Sequence, residues 1–321
     1  MQDSSSLSTG EDHLLSFVWS LWAELGVSGW QRNHREFAID PEVLVLLTAW
    51  LRDRDPRLRD EATDWCIRYG QFISAARLKN LLRTSNLGSS EGWPEFAATV
   101  NTNSPWRWPA DQAQPRDLAP SGKSGIGSFE RTSLIYLRVR AFMGVGARAE
   151  IVRLFSNEPH DRLGVAQIAS HIGYSKRNTA EALDGLEMAG VMQSIRVRNR
   201  FEYTAADPGR LLASVGALPS WFPAWTSVAP AIVTIVEFLE RAGDLSDSVA
   251  SVESVTLVRG LADDLAVWGV PIPHLVMADE PAHRLLQRWS LEVLAALSKG
   301  DPKFLAPRQQ LEEQSRQTRS K

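Results

Sequence analysis

The chain has 321 residues, of which 44% are hydrophobic and 23% charged, and its formal net charge is −3. That length suits two or three domains with a sizeable core, and the near-neutral balance excludes a uniformly basic surface, so contact with a polyanion has to come from a local patch. The single cysteine, Cys66, excludes an internal disulfide and fits a reducing compartment, while the polar N-terminus and the absence of a long apolar run point to a cytoplasmic protein without a membrane span.

Taken in order, residues 1–10 are polar and serine-rich and are expected to be disordered. From residue 11, Leu14, Leu15, Val18, Trp19, Trp22 and Leu25 recur at helical spacing, with Gly26 as the stop. Asp40-Pro41 and Asp55-Pro56 each read as a capping residue followed by proline at the first helical position. The first opens a helix with Leu44, Val45, Leu47, Trp50 and Leu51 inward. The second opens one with Leu58, Ala62, Trp65, Cys66 and Tyr69 inward, closed by Gly70. Ser74 caps a fourth helix, with Leu78, Leu81 and Leu82 inward, and residues 11–84 form an N-terminal helical domain. The mixed-sign charges Arg52, Arg54, Arg57, Arg59, Asp60 and Glu61 have the pattern of a solvated helix face.

Residues 85–128 are interrupted by glycine and proline and read as a long connection with little regular structure. Trp93, Trp106 and Trp108 imply that part of it packs. Ser121-Gly122-Lys123-Ser124 superficially suggests a phosphate loop, but such a loop needs glycine five positions before Gly122, where Asp117 stands.

The central segment, residues 129–216, carries the most information. Residues 130–144 read as a helix or strand leading in. Residues 147–155 form a helix with Ile151, Leu154 and Phe155 on one side, followed by a loop over 157–162. Residues 165–172 form a second helix ended by Gly173, and Ser175 caps a third that runs to Gly190. Residues 191–198 then alternate apolar and polar, Asn199-Arg200 makes a two-residue turn, and residues 201–204 return. Helix, helix, helix, hairpin is the order of a winged helix-turn-helix.

Ile168-Ala169-Ser170-His171-Ile172-Gly173-Tyr174-Ser175, followed by Leu183, Leu186-Glu187 and Ala189-Gly190-Val191, resembles the corresponding run of bacterial MarR- and ArsR-type winged-helix regulators, over about a fifth of the chain. The resemblance implies a helix over 175–189 that enters the major groove of double-stranded DNA, and a wing over 191–204 that holds phosphate. Long donors on the first turn suit base edges, so Ser175, Lys176, Arg177, Asn178 and Glu181 are the candidate readers, with Ala180, Leu183 and Leu186 on the packing face. Arg196 and Arg198 are expected on one strand face, with Arg200 at the turn beyond them, as phosphate contacts. Two positions depart from the family pattern. Glu181 stands where many relatives carry Arg or Ser, and either accepts from cytosine N4 or repels phosphate; Thr179 occupies a usually apolar slot.

Asp207-Pro208 opens another helix with Leu211, Leu212 and Val215 inward. The tryptophan- and proline-rich stretch 218–225 is expected to pack against the wing or the following helix. Helices are expected over 230–242, over 245–268 with a break near Val252, and over 281–297. These helices serve either to pack within one chain or to form a homodimer, since half-sites on a duplex suit a two-fold protein. The tail 301–321 is polar and expected to be disordered. The six histidines fall in no metal-ligand spacing, no nucleophile elbow or dinucleotide fingerprint occurs, and Asp263-Asp264 and Asp279-Glu280 are neighbours that point to different helix faces. Enzyme activity, metal and cofactor are therefore not expected. The sequence reads as a mainly α protein with a central winged helix-turn-helix, acting as a sequence-specific transcriptional regulator. The alternative is an antitoxin or partner-binding protein of a nucleotidyltransferase-type toxin system, with the helical flanks binding the toxin.

Overall fold

The computed structural model describes residues 4–28, 34, 37–89, 91–110, 112–268, 270–271, 273–275 and 280–301. Among them are fourteen α-helices and one small antiparallel sheet of three strands, so the protein is mainly helical. No helix among the described residues is long and apolar enough to cross a membrane. The chain divides into two compact units. One is built from Trp22–Ser28 and Arg35–Ser220, the other from Met1–Leu21, Gly29–His34 and Trp221–Lys321.

The larger unit contains α2 (Pro41–Leu51), α3 (Pro56–Tyr69), α4 (Ala75–Thr84), α5 (Gly92–Asn103), α6 (Ile135–Met143), α7 (Ala147–Asn157), α8 (Val165–Ile172), α9 (Lys176–Met188) and α10 (Pro208–Val215). Its sheet has β1 (Leu163–Gly164) and β2 (Met192–Val197) on either side of β3 (Arg200–Ala205). The three Asp-Pro pairs all open helices as expected. Asp40, Asp55 and Asp207 accept from the backbone N–H groups of Val43, Leu58 and Arg210 at 3.3, 3.0 and 3.0 Å, satisfying donors that no helical carbonyl can reach. All eleven residues of α2 are buried, so this helix is the centre of the unit's core. Trp22 donates to the Thr48 hydroxyl and packs edge-on against Trp65, with ring centroids 5.5 Å apart.

The region expected to be an irregular connection contains α5. Gly92 and Pro94 fall in its first turn, where a missing proline N–H removes no helical hydrogen bond, and Trp93, Phe96, Ala97 and Val100 are buried. Beyond α5 the described residues form no regular element until residue 132, yet the segment is pinned as its tryptophans implied. Trp93 stacks on Trp108 at 6.1 Å, and the Trp106 indole donates to the carbonyl of Ile67. The Ser121–Ser124 stretch hooks onto α3: Arg68 donates to the carbonyls of Gly122 and Ser124, and Glu61 accepts from both serine hydroxyls. Of the charges read as a solvated face, Arg59 departs and is buried.

The smaller unit contains most of α1 (Ser4–Leu25), with α11 (Trp225–Ala242), α12 (Asp247–Gly260), α13 (Ala262–Trp268) and α14 (Ala282–Ser298). Residues 11–84 are thus divided between the two units. Phe17 of α1 lies 6.0 Å from Trp225, and burying those rings places α1 with the C-terminal helices. Trp225, at the end of the stretch expected to pack on the wing or the following helix, is instead the first residue of α11 and meets α1. Disorder over residues 1–10 is not found at 4–10, which belong to α1, and residues 1–3 lie outside the described residues. Pro230, expected near a helix start, sits inside α11, and the break expected near Val252 falls at Leu261. Buried His34 lies 2.5 Å from the Ser20 hydroxyl through Nε2, and burial depresses its pKa to about 4. The tail after Asp301, and Asp279, lie outside the described residues.

Candidate nucleic-acid interface

The exposed tip of α9 follows from its cap. Ser175 Oγ accepts from the Asn178 N–H at 3.2 Å, and the Ser175 carbonyl accepts both the Thr179 N–H and the Thr179 hydroxyl, at 3.0 and 2.9 Å. That second bond explains how a hydroxyl occupies an inward slot: Thr179 is buried and satisfied. The buried face of α9 is Thr179, Ala182, Leu183 and Leu186; Ala180, expected there, is only half-buried at its edge. The opposite side leaves Lys176, Arg177, Asn178 and Glu181 exposed. Arg177 and Glu181 pair at 2.9 Å with side chains 86% and 63% exposed, and the hydrogen bond and charge of Glu181 raise the Arg177 pKa. Glu181 is thus the ion-pair partner of Arg177.

The hairpin turns one residue earlier than expected. Val197 pairs with Arg200, so Arg198 and Asn199 form the turn, and Arg198 takes a left-handed φ of 56°. The register places Arg196 on the face shared by Met192, Ser194, Phe201 and Tyr203, and Arg200 on the other face with Val197 and Glu202. The expected single arginine-edged face is therefore corrected, since a shift of one residue reverses every side chain. All three arginines are exposed and surround the hairpin tip. The face carrying Arg196 is the one turned to α9: Glu187 accepts from the Ser194 N–H and hydroxyl, at 3.1 and 2.6 Å. The short β1, within the stretch after α7, pairs Leu163 with Tyr203 and braces the hairpin's second strand.

The turn between α8 and α9 is held from α4, which sequence reasoning assigned to another domain. Arg77, fully buried, donates Nε–H to the Ile172 carbonyl at 2.6 Å. Asn80 donates to the Gly173 carbonyl at 3.1 Å, and the Tyr174 hydroxyl meets Ser74 at 2.6 Å. Gly173 has φ 72°, and a Cβ there would lie 3.1 Å from Arg77 Nε, so the residue answers both a backbone and a space requirement.

Arg77 also binds Asp40 through both terminal nitrogens at 2.5 Å, and Glu42 at 2.6 Å. Glu42 is shared with Arg140, at 2.8 Å on each oxygen, and takes the Ser74 N–H. Arg140 continues to Glu150 at 2.6 Å, and Glu150 to Arg153 at 2.9 Å, whose guanidinium lies 4.1 Å above the Tyr136 ring. Three arginines thus meet three carboxylates, all buried and neutral in sum. Burial alone would raise the Asp40 and Glu150 carboxyls, but Arg77 beside Asp40, and Arg140 and Arg153 beside Glu150, hold both below the usual carboxylate range. Burial also pushes the Tyr174 hydroxyl up to about 12, so it remains a neutral partner of Ser74.

The signal for this cluster is in α2, whose residues are apolar or neutral except Glu42. A helix that is apolar all round is buried, and a lone carboxylate on it requires buried cations. No protein-family model matches the chain, and no significant match to a curated protein or a solved structure is found.

Proposed function

We propose that this protein is a sequence-specific DNA-binding transcriptional regulator, and that α7, α8 and α9 with the β2–β3 hairpin and β1 form a winged helix-turn-helix. The observation that carries the reading is the polarity of α9: Lys176, Arg177 and Asn178 exposed on its first turn, Thr179, Ala182, Leu183 and Leu186 buried against its neighbours, and an arginine-tipped hairpin on the adjoining strands. In this reading the N-terminal turn of α9 enters the major groove, where amide and guanidinium donors match base-edge acceptors, while Arg196, Arg198 and Arg200 hold the flanking phosphates. Glu181 releases Arg177 as the phosphate or base acceptor replaces it, which makes binding an exchange of partners for Arg177. A two-fold dimer would present two such helices to paired half-sites.

The test is genome-wide recovery of bound DNA from the native host, followed by affinity measurements on the recovered sequence across a salt series. The expected result is a discrete operator, affinity that falls steeply with salt, and loss of binding in Arg177→Ala with Arg198→Ala. Recovery of no enriched sequence overturns the function. An operator bound equally well by the double variant overturns the assignment of the residues.

A further inference from the structure

α4 contains no acidic residue, and its cations divide between its two sides. Arg77 is buried beside Leu78 and Leu81, whereas Lys79 and Arg83, four residues apart and therefore on one helix face, are exposed. Two like charges at that spacing repel weakly, a cost that an external anion would reverse. The outer faces of α3 and α9 mix their signs, with Arg57 beside half-buried Asp60 and Glu61 on α3, and Arg177 beside Glu181, Asp184 and Glu187 on α9. In a chain of net charge −3, the outer face of α4 is a local cationic patch.

Its position is fixed by hydrogen bonds. Asn80, between the two cations, donates to the carbonyl of Gly173, and Arg83 donates to Asn80 Oδ1 at 2.9 Å. Gly173 is two residues before the cap of α9. Three Cα steps separate Gly173 from Lys176, at most about 11 Å, so with the Asn80 bond the α4 backbone at Lys79 and Arg83 stands within about 25 Å of the α9 tip. A duplex presents one phosphate per about 1.7 Å of axis, so a protein surface of that span faces several phosphates. We infer that α4 is a further element of the DNA-facing surface, and that Lys79 and Arg83 each take a backbone phosphate on the strand flanking the groove entered by α9. The inference rests on the DNA-binding reading above. Phosphate is the fitting ligand because α4 is bonded to the turn that precedes α9 and not to its exposed tip, and because long cationic side chains hold phosphate without regard to sequence.

The experiment compares the full-length wild type, Lys79→Gln with Arg83→Gln, and Arg177→Ala on the recovered operator and on a duplex of random sequence, across a salt series. Each phosphate contact contributes about −0.9 to the slope of log K against log salt, so the α4 double variant is expected to lose nearly two units of slope on both duplexes. Its melting temperature is expected to match the wild type, since both side chains are exposed. An unchanged slope and affinity in the α4 variant, while Arg177→Ala weakens operator binding, overturns the inference and leaves the DNA-binding reading intact. Loss confined to the operator also overturns it, because that is the signature of base contact. A wild type that binds neither duplex overturns the DNA-binding reading itself, and this inference with it.

Discussion

Arg77 on α4 donates its Nε hydrogen to the carbonyl of Ile172 at the end of α8, 2.6 Å away and fully buried. The last carbonyls of a helix have no partner within it, so this one bond satisfies an orphan acceptor and ties α4 to the turn that precedes α9. Arg77→Met leaves Asp40 and Glu42 with less compensating charge in the core, and a loss of about 3–5 kcal/mol is expected in urea unfolding. Arg77→Lys retains the charge without the bidentate fork and should fall between variant and wild type. A wild-type midpoint for Arg77→Met would contradict the structural role given to the cluster.

Glu181 pairs with Arg177, and under the proposed function DNA has to displace it. The pair is exposed and screened, so Glu181→Gln is expected to tighten binding to a random-sequence duplex only modestly, up to about fivefold. Nitrocellulose filter binding or anisotropy reads the change. Weaker binding in the variant would instead assign Glu181 to base readout, as an acceptor from cytosine.

The turn residue Arg198 has φ 56°, a region that costs a side-chain-bearing residue roughly 1 kcal/mol relative to glycine. Arg198→Gly should therefore melt above Arg198→Ala by an amount corresponding to about 1 kcal/mol, although both lose the charge equally. Comparing the two in the DNA assay separates backbone relief from phosphate contact, since only the missing guanidinium is common to both.

Stability should fall with acid in two stages. His34 is buried neutral, with a folded pKa of about 4 against 6.5 unfolded, so between those values the unfolded chain binds more protons and stability declines as pH drops. The full difference is about 3 kcal/mol, lost progressively from pH 6.5 towards 4. Asp40 and Glu150 have depressed carboxyl pKa values, and their contribution is present at neutral pH and is lost at lower pH, as the folded carboxyls take up protons. Chemical unfolding of His34→Gln over the upper window should show the first stage flattened and the second retained. Equal slopes in wild type and variant above pH 4 would remove His34 as its cause.

Helix starts were legible wherever one residue carried the signal: the Asp-Pro pairs, Ser74, and Ser175 with its bond to Asn178. The exposed first turn of α9 was legible for the same reason, since cap and periodicity agree. What escaped depends on partners distant in sequence. Arg77, rather than Leu82, shares the fully buried face with Leu78 and Leu81, and only Asp40, Glu42 and Ile172 make that position tolerable for a cation. The hairpin turn slipped by one residue because Arg198 and Arg200 have the same local character, and pairing of Val197 with Arg200 decides between them. α5 was masked by Gly92 and Pro94, residues that read as breakers in a window but are harmless in a first turn.

The shared charge cluster also bears on how this chain can be dissected. Cut near residue 128, one fragment would keep Asp40, Glu42 and Arg77, and the other Arg140, Glu150 and Arg153, each with a net charge stranded among apolar side chains. Neither piece is then expected to be well folded by itself, however tidy the helix-and-hairpin segment looks as an independent cassette. Mixed together, the two fragments should complement each other and regain cooperative melting.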